Sequence, residues 1–471
     1  MTSDKKKPKL SRIKTGSFER RLRLTTAGLL AGTRVTTSLA TSLLASKEKR
    51  LAHRKAVLSE QALYLVNELG KLKGSVVKVG QILALFGEHF LPTEVTEALH
   101  TLEDQTSALE WTVIESLLKR EFTLVNYFQL EIEENPIGAA SLGQVHRAHH
   151  KADEIPLCIK AQYPGVADAI DADLYAIAQI LKLTKLIKVG KEFEEWLEEV
   201  RTMLHHEVNY LREAETTTRF RTHLADDSRF VVPEVIQEYS TQKVLTTTFE
   251  LGYEITNPKI QELSLTRRNN IAKASLDLFL KEIFIWGEIQ TDPNFGNYRI
   301  RPKELGAELK LEGDQDQTIL LDFGAVESYP DSFLLPLRDM IRGAFYKDHE
   351  TIIKGAIALG FMKEDRSHEE LISFAEMCMI MLEPFTGNPI ELPAEIINEN
   401  GEYRWQASNL PRRVAKIAAK SAFRKHFDIP PKEFVFLNRK LIGVYTFISV
   451  LGAEFNGREL IEPYLMLDEC H

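Results

Sequence analysis

Apolar positions recur with a helical period along most of this chain, and they follow a strand pattern in one part of it. Helical periodicity dominates residues 52–120 and returns after Leu263. Between these regions lie five short strand-like runs, at residues 128–132, 144–149, 157–162, 230–236 and 244–249. A strongly helical stretch at 193–220 interrupts the strands. The pattern predicts an α/β protein in which a small strand-rich part precedes a long helical part.

Three stretches of the helical part carry specific expectations. Residues 303–317 are polar and acidic, which predicts a hairpin loop away from any chemistry. Residues 441–453 are 13 uncharged positions, fewer than the ~18 that a membrane span needs, so we expect a buried helix there. A helical repeat predicts core packing rather than a lipid groove at Phe374, Met377, Cys378 and Met381.

The composition is that of a folded protein, but its charge is uneven. The chain has 471 residues, of which 44% are hydrophobic, enough for one large or two ordinary domains. The net charge is −9, yet residues 1–50 hold 13 Lys/Arg against 3 Asp/Glu, a local +10 that leaves −19 on the remainder. Three interpretations of this basic arm stand side by side: an amphipathic helix on an anionic membrane surface, a solvated or docked arm, and a mitochondrial targeting peptide.

The cysteines and the lack of a long apolar run limit the cellular compartments in which this chain is expected. Cys158, Cys378 and Cys470 are widely spaced, without the pairing typical of metal sites. Thiols in a reducing compartment are therefore expected. The sequence predicts a cytoplasmic or peripheral membrane protein without a transmembrane helix, and mitochondrial targeting stays an open alternative.

A pair of motifs points to phosphoryl transfer. In the run 290–297, Asp292 is followed five positions later by Asn297, and a later apolar run ends in Asp322-Phe323-Gly324. Kinases place a base-type Asp, a metal-binding Asn and a second metal-binding Asp in this order. Carboxylate and amide oxygens also suit Mg²⁺. Since Gln290-Thr291 stands where His-Arg is usual, the motifs indicate an atypical branch.

The strand-rich part offers a lysine of the kind a kinase needs. Lys160 ends an apolar run in the manner of Val-Ala-Ile-Lys, although a strand-end lysine with its head in water is an equal alternative. Its acidic partner is expected on the helical stretch that carries Glu207 and Glu213. These two lie about 120° apart around one helix, so only one of them can face the lysine.

Two segments are candidates for nucleotide contacts. At the position of a Gly-rich phosphate loop, the chain reads Gly138-Ala139-Ala140-Ser141. Alanines disfavour positive φ, so we expect a stiff, helix-prone loop with Ser141 and backbone N–H groups as donors. Phe249-Glu250 follows the last strand and is the candidate hinge that meets an adenine ring.

Together these motifs resemble the UbiB/ADCK/AarF family of atypical protein-kinase-like proteins. The similarity covers about residues 60–330 and a later region at 439–443. Its signatures are Lys78-x-Gly80-Gln81, the Ala-rich loop, the Lys160 strand, Glu207 to Ala214, Gln290 to Asn297 and Asp322-Phe323-Gly324. Two departures stand out: the family's Glu-x-Asp is Glu207-Val208-Asn209, and the loop's first alanine is Gly138.

The resemblance implies a protein-kinase-like bilobal α/β fold that uses ATP and Mg²⁺. It implies that Lys160 contacts the phosphates and pairs with Glu213, and that Asn297 and Asp322 hold Mg²⁺. Asp292 would orient or deprotonate the nucleophile. The resemblance also places Lys78 and Gln81 on a lid-like helical extension, with Lys78 near acidic residues such as Glu207 and Asp292.

The implied function is an atypical kinase or ATPase that supports isoprenoid-quinone (ubiquinone) biosynthesis or lipid handling at a membrane surface. A protein kinase is one alternative, but no Ala-Pro-Glu follows Asp322, which argues against a substrate-peptide platform. A nucleotide-gated scaffold with little turnover is another. The expected partners are a nucleotide, an anionic membrane surface and quinone-pathway proteins, and no nucleic acid.

These expectations divide the chain into four parts. They are a basic arm at 1–50, a helical extension at 51–125, a kinase-like N-lobe with a helical insertion at 126–250, and a helical C-lobe at 251–471.

Overall fold

The computed structural model describes residues 78–80, 108–139, 142–183, 190–311, 313–385, 392–414, 416 and 432–466. The chain forms two compact units. Unit 1 comprises the described residues up to Thr218 together with Glu234–Phe249, and unit 2 comprises Arg219–Pro233 and the described residues from Glu250 onward. Residues 219–233, which fall inside the predicted N-lobe, therefore cluster with the second unit. The predicted arm at 1–50 and most of the predicted extension lie outside the described residues.

The described strands are β1 Leu130–Ile132, β2 Gly138–Ala139, β3 Gly143–His150, β4 Pro156–Gln162, β5 Phe230–Val231, β6 Val244–Thr248, β7 Glu288–Gln290, β8 Tyr298–Arg301, β9 Gln317–Leu320 and β10 Val326–Ser328. The labelled helices are α1 Trp111–Glu121, α2 Leu124–Gln129, α3 Val166–Leu183, α4 Lys191–Glu207, α5 Tyr210–His223, α6 Pro258–Gln261, α7 Leu265–Lys281, α8 Lys303–Glu308, α9 Asp331–Tyr346, α10 His349–Ala358, α11 His368–Met381, α12 Trp405–Ser408, α13 Lys432–Val450 and α14 Arg458–Leu465.

Unit 1 is built on an antiparallel sheet. The strand order is β1-β3-β4-β6, and β2 pairs with β3 at its edge. The predicted helix-prone loop is wrong at its first two positions, because Gly138 and Ala139 form β2 and pair with Val145 and Gln144. Ala140 and Ser141 lie outside the described residues.

Two predicted strands are shorter than the apolar pattern suggested. The run at 128–132 begins as helix, because the Thr123 side chain accepts the backbone N–H of Asn126 and caps α2, which lasts to Gln129. In the run at 230–236, β5 ends at Val231, and Pro233 has no N–H to continue a ladder. Only an isolated bridge between Val235 and Thr247 follows.

The single helix predicted at 193–220 is two helices. α4 ends at Glu207 and α5 begins at Tyr210. Asn209 breaks the run because its Oδ1 accepts the N–H of Arg212 at 3.3 Å, as an N-cap does. The carbonyl of Val208, left over at the end of α4, accepts Gln162 Nε2 at 2.8 Å.

Unit 2 is mainly helical, with two small sheets. One sheet has the order β5-β9-β8, and the other pairs β7 with β10. The segment at 303–317 connects the antiparallel strands β8 and β9, as the predicted hairpin loop does. Its first part is nevertheless helical, because α8 occupies Lys303–Glu308, and β9 begins at Gln317. Arg267 of α7 fastens this segment by donating to both Glu304 and Asp316.

The helical core of unit 2 confirms one sequence expectation and part of a second. Most of residues 441–453 belong to α13, and Val444, Ile448 and Leu451 are buried in the core cluster. The repeat on α11 is core at Phe374 and Met377, which are buried. Cys378 and Met381 are only partly buried, and they pack against the cluster where they line an apolar cavity with Leu441. Among the helices that the structure describes, none is long and apolar enough to cross a membrane.

Candidate active site

Lys160 in unit 1 is held by Glu213. The lysine lies in the middle of the sheet, on β4, with Val145 and Leu245 as its strand neighbours. Its Nζ donates to both carboxylate oxygens of Glu213, at 2.7 and 2.9 Å. The Glu213 side chain is only 3% exposed. A carboxylate buried this deeply requires a cation beside it, so this lysine is more than a strand-end residue with its head in water.

Glu207 takes a different lysine. Lys78 Nζ lies 2.6 Å from Glu207 Oε1, and the neighbouring residue Val79 is fully buried. Because Asn209 starts a new helix, Glu207 and Glu213 do not share one helix axis. As a result, Glu207 pairs with Lys78 and Glu213 pairs with Lys160. Gln81, the last residue of the Lys-x-Gly-Gln signature, lies outside the described residues.

In unit 2, Asp292 and Asn297 lie in direct contact on the loop after β7. Asn297 Nδ2 donates to Asp292 Oδ2 at 3.1 Å and also lies 3.4 Å from the Asp292 carbonyl. Since the amide nitrogen of Asn297 is directed at Asp292, its Oδ1 is directed elsewhere. The loop is tied at its start by Thr291, whose N–H and hydroxyl both donate to the carbonyl of Ala325.

Asp322 follows β9 and is connected to this loop through the backbone. The N–H of Leu321 donates to the carbonyl of Asn297 at 2.9 Å. The N–H of Gly324 donates to Asp322 Oδ1 at 2.9 Å and orients the carboxylate. Phe323 is buried, and its ring packs on Phe220 with centroids 4.9 Å apart.

Gln290, which stands where a kinase usually has His, joins the two motifs. Its Nε2 donates to the carbonyl of Asp322 at 3.3 Å. Its backbone N–H faces Glu282 Oε1 at 3.4 Å. Gln290 therefore links the Asp292 loop to the Asp-Phe-Gly segment.

The helix α13 contacts the same loop from the C-terminal part of the chain. Arg439 Nη2 donates to Asp292 Oδ1 at 2.9 Å. The neighbouring Lys440 is buried and lies 3.0 Å from Glu282 Oε2. Burial lowers the pKa of Lys440, but Glu282 and Tyr298 together outweigh burial and leave that pKa raised. The ammonium is therefore charged at neutral pH.

Sequence reasoning assigned no role to Arg439, Lys440 or Glu282. A signal for the buried pair was present, because Lys440 and Glu282 each interrupt a strongly apolar helical stretch. Charged residues at core positions are rarely fully buried unless they are paired. The sequence alone does not say which two of them pair.

The nucleotide-binding candidates are described only in part. Of the loop residues, Ala139 lies on β2. The N–H of Phe249 donates to the carbonyl of Pro156 at 2.8 Å and is thus not available to an adenine ring. Phe249 is the last residue of unit 1, and its ring lies under the Arg147 guanidinium at 4.6 Å. Glu250 is the first residue after the boundary and pairs with Arg301 at 2.5 Å.

The donor set in unit 2 fits Mg²⁺. Mg²⁺ prefers hard oxygen ligands and commonly takes one or two from protein while keeping water and phosphate oxygens. Asp322 supplies a carboxylate and Asn297 an amide oxygen. Within the described part of the chain there is no group of three or more His, Cys, Asp or Glu that would form an all-protein metal cage.

The described cysteines have no place in this chemistry. Burial raises the pKa of the Cys158 thiol to about 11 and that of Cys378 to about 12. Both thiols are therefore protonated and unreactive at neutral pH.

The sequence matches the profile of the ABC1 atypical kinase-like domain over residues 101–356. That range is more than half of the chain. It includes Lys160, Glu213, Asp292 and Asp322 and ends before Arg439.

Similar proteins bear kinase names. The probable serine/threonine-protein kinase abkA of Dictyostelium discoideum is 28% identical over 408 residues, covering 83% of this chain and 68% of that protein. The mitochondrial atypical kinase COQ8 of Saccharomyces cerevisiae is 28% identical over 403 residues, covering 84% and 75%. The mitochondrial atypical kinase COQ8B of Danio rerio is 29% identical over 408 residues, covering 86% and 61%.

A solved structure shares the fold. The complex of Rv3197 with erythromycin from Mycobacterium tuberculosis superposes with a TM-score of 0.58 at 23% identity, covering 88% of this chain and 98% of that one. This likeness supports a kinase-like arrangement of helices and strands and nothing finer.

Proposed function

Because the chain belongs to the ABC1 family of atypical kinase-like proteins, we propose that it binds Mg²⁺-ATP and catalyses phosphoryl transfer to water or to another acceptor. One observation carries the proposal. Within each unit, motif residues are hydrogen-bonded to each other: Lys160 to Glu213 in unit 1, and Asn297 to Asp292 in unit 2.

Each residue has a defined task in this proposal. Lys160, held by Glu213, neutralises charge on the nucleotide phosphates. Asn297 Oδ1 and Asp322 would hold Mg²⁺, which would neutralise charge at the phosphate oxygens when bound. Asp292 accepts the proton of the attacking hydroxyl or water, and Asn297 Nδ2 fixes the direction of its Oδ2.

The wider role is proposed from relatives and from the resemblance to the UbiB/ADCK/AarF family. We assign the chain to the support of isoprenoid-quinone biosynthesis, as an atypical kinase or ATPase. The missing Ala-Pro-Glu after Asp322 argues against a protein kinase with a substrate-peptide platform. A nucleotide-gated scaffold with little turnover is the second candidate. If pathway function survives Asp322→Asn in cells, the scaffold replaces the enzyme.

Nucleotide binding is tested by thermal unfolding with ATP, ADP and GTP, each with and without Mg²⁺. A ligand at 100 times its Kd stabilises the folded protein by about 2.7 kcal/mol. We expect a Mg²⁺-dependent rise in Tm for the wild type that is lost in Asp322→Ala. The matched control is Asp314→Ala, an exposed aspartate upstream of the motif, which keeps the rise. No rise with any nucleotide overturns the proposal.

Membrane association is proposed from the basic arm at 1–50, with its local charge of +10. Lys and Arg near an anionic surface each contribute about 1 kcal/mol of attraction. Deleting residues 1–50 should weaken sedimentation with vesicles that contain anionic lipid, while the nucleotide-dependent rise in Tm is unchanged. Equal sedimentation of both proteins rejects this role for the arm.

A further inference from the structure

The loop of unit 2 that carries Asp292 is held in place by α13, a helix that follows it in the chain only after more than a hundred residues. Three residues of α13 contact positions 290–293 directly or through one intermediate. Arg439 binds Asp292, and Gly443 lies against Pro293. Lys440 donates to Glu282 Oε1, the oxygen that also faces the N–H of Gln290. Residues 439, 440 and 443 share one side of the helix, since four positions make about one turn.

We propose that Arg439 is the positioning residue that fixes Asp292 and keeps its carboxylate a proton acceptor instead of a metal ligand. This inference rests on the proposed function. It assigns to α13 the cation that Gln290-Thr291-Asp292 lacks beside its aspartate.

The bonds of the Asp292 carboxylate support this division of roles. Oδ1 accepts Arg439 Nη2 at 2.9 Å and Oδ2 accepts Asn297 Nδ2 at 3.1 Å, so each oxygen already has a donor. Each oxygen keeps lone-pair capacity with which to accept a proton, whereas a Mg²⁺ ion bound there at about 2.0–2.1 Å would sit beside donors that already face the carboxylate. A metal there would also lie close to the fixed positive charge of the guanidinium, which repels it.

The same hydrogen bonds determine which side-chain oxygens remain available to coordinate a metal ion. Because Asn297 Nδ2 points at Asp292, its Oδ1 is directed away and joins Asp322 as a hard oxygen ligand. Arg439 thus acts on the metal site indirectly, by holding the carboxylate toward which the Asn297 amide is oriented.

Gly443 shows how closely the helix approaches the loop. A Cβ built on Gly443 would overlap Pro293 Cβ, closer than non-bonded carbons approach each other. Any larger residue at 443 must therefore displace the loop or the helix. By contrast, a Cβ on Gly306 of α8 meets only Arg301 Cδ, at 4.0 Å.

The first test compares Arg439→Gln with Arg404→Gln, which breaks an exposed ion pair with Glu454 away from the loop. Amide hydrogen exchange is measured for the peptide that spans 290–297. We expect faster exchange there in Arg439→Gln and no change in Arg404→Gln. Exchange equal to wild type overturns the positioning role, and this readout needs no enzyme activity.

The second test measures ATP hydrolysis in a double-mutant cycle. Displacing a catalytic group by about 1 Å can lower the rate ~100-fold. Arg439→Gln should lower kcat about 10- to 100-fold while keeping the nucleotide-dependent rise in Tm, and Arg439→Lys should recover part of the loss. Adding Arg439→Gln to Asp292→Asn should cost nothing further, because the arginine acts through that aspartate. A further loss of the same size overturns the inference.

The metal dependence separates a positioning role from general damage. Without Arg439, the freed carboxylate becomes available to Mg²⁺, so half-maximal hydrolysis should need less Mg²⁺ at a lower kcat. An unchanged Mg²⁺ titration overturns the claim that Arg439 keeps Asp292 away from the metal. A wild type that neither binds nor hydrolyses nucleotide refutes the proposed function, and hydrogen exchange still decides the positioning role.

Gly443→Ala gives an independent check on the helix contact, with Gly306→Ala as the matched helix glycine. We expect Gly443→Ala to speed exchange at 290–297 and lower hydrolysis at least tenfold, and Gly306→Ala to match wild type. If both variants behave like wild type, α13 does not seat the loop.

Discussion

The backbone N–H of Glu213 donates to the carbonyl of Asn209 at 3.2 Å, as the first hydrogen bond of the helix that carries this glutamate. The Asn209 side chain caps the same helix through the N–H of Arg212. The residue by which this chain departs from the family's Glu-x-Asp is therefore an N-cap. Asparagine performs that task as well as aspartate.

Replacing Asn209 tests the cap directly. Asn209→Ala should lower the free energy of unfolding by about 1 kcal/mol, because a cap acceptor is lost. Asn209→Asp should be close to wild type. Urea unfolding, followed by far-UV circular dichroism, measures both. Equal losses in the two variants would contradict the capping role.

The pair of Lys160 and Glu213 predicts an asymmetry between single and double variants. Lys160→Met leaves a carboxylate that is 3% exposed without its main cation, which should cost about 3 kcal/mol of stability. Lys160→Met combined with Glu213→Gln should recover much of that loss, since no charge then stays buried. Thermal unfolding of both proteins tests this prediction. A double variant that is less stable than Lys160→Met contradicts it.

Lys78 is predicted to restrain turnover through its 2.6 Å ion pair with Glu207. If the residues around Lys78 act as a lid, Lys78→Ala should raise ATP hydrolysis several-fold or change autophosphorylation. Lys119→Ala, which removes a surface ion pair with Glu115 in the same unit, is the control. Identical rates in all three proteins would make Lys78 an ordinary structural lysine.

Asp227 should make the protein sensitive to acid. Burial raises the pKa of its carboxyl, but hydrogen bonds from Arg229 and Lys281 outweigh burial and hold the pKa well below its ordinary value of 3.8. A carboxyl with a lowered pKa in the folded state contributes stability above its ordinary pKa. That stability is lost as the pH falls through the pKa of the folded state.

Asp227→Asn should therefore reduce stability at pH 7, on the order of 1 kcal/mol because solvent screens part of the interaction. The difference from wild type should narrow below about pH 4. Urea midpoints at pH 7, 5, 4 and 3 measure this, with the exposed Asp314→Asn as control. Parallel curves down to pH 3 would rule out Asp227 as a source of acid sensitivity.

The functional residues that could be predicted from the sequence are those whose motifs lie within short segments of the chain. Asp292, Asn297 and Asp322 were recognisable because their spacing and the apolar run before Asp322 are contained in short segments. The kinase-like fold followed from the order of such segments, and the family match confirms it.

The residues that sequence reasoning missed depend on contacts across the chain. Arg439 meets Asp292 over a separation of 147 positions, and no periodicity links the two. The helix at 193–220 was predicted as one element because its apolar period continues through Asn209. A side chain that bonds its own backbone ended the helix there, and this competition is invisible in the apolar pattern.

The contact of α13 with the Asp292 loop also has a consequence for biosynthesis. Chains fold from the N-terminus as they leave the ribosome, at roughly 5–20 residues per second. All the motif residues up to Asp322 emerge well before Arg439 and Gly443 do. During those seconds the nascent chain carries the complete set of motifs without the helix that seats its aspartate. A message truncated before α13 would therefore yield a chain with the motifs from Lys160 to Asp322 but without the helix that contacts its Asp292 loop.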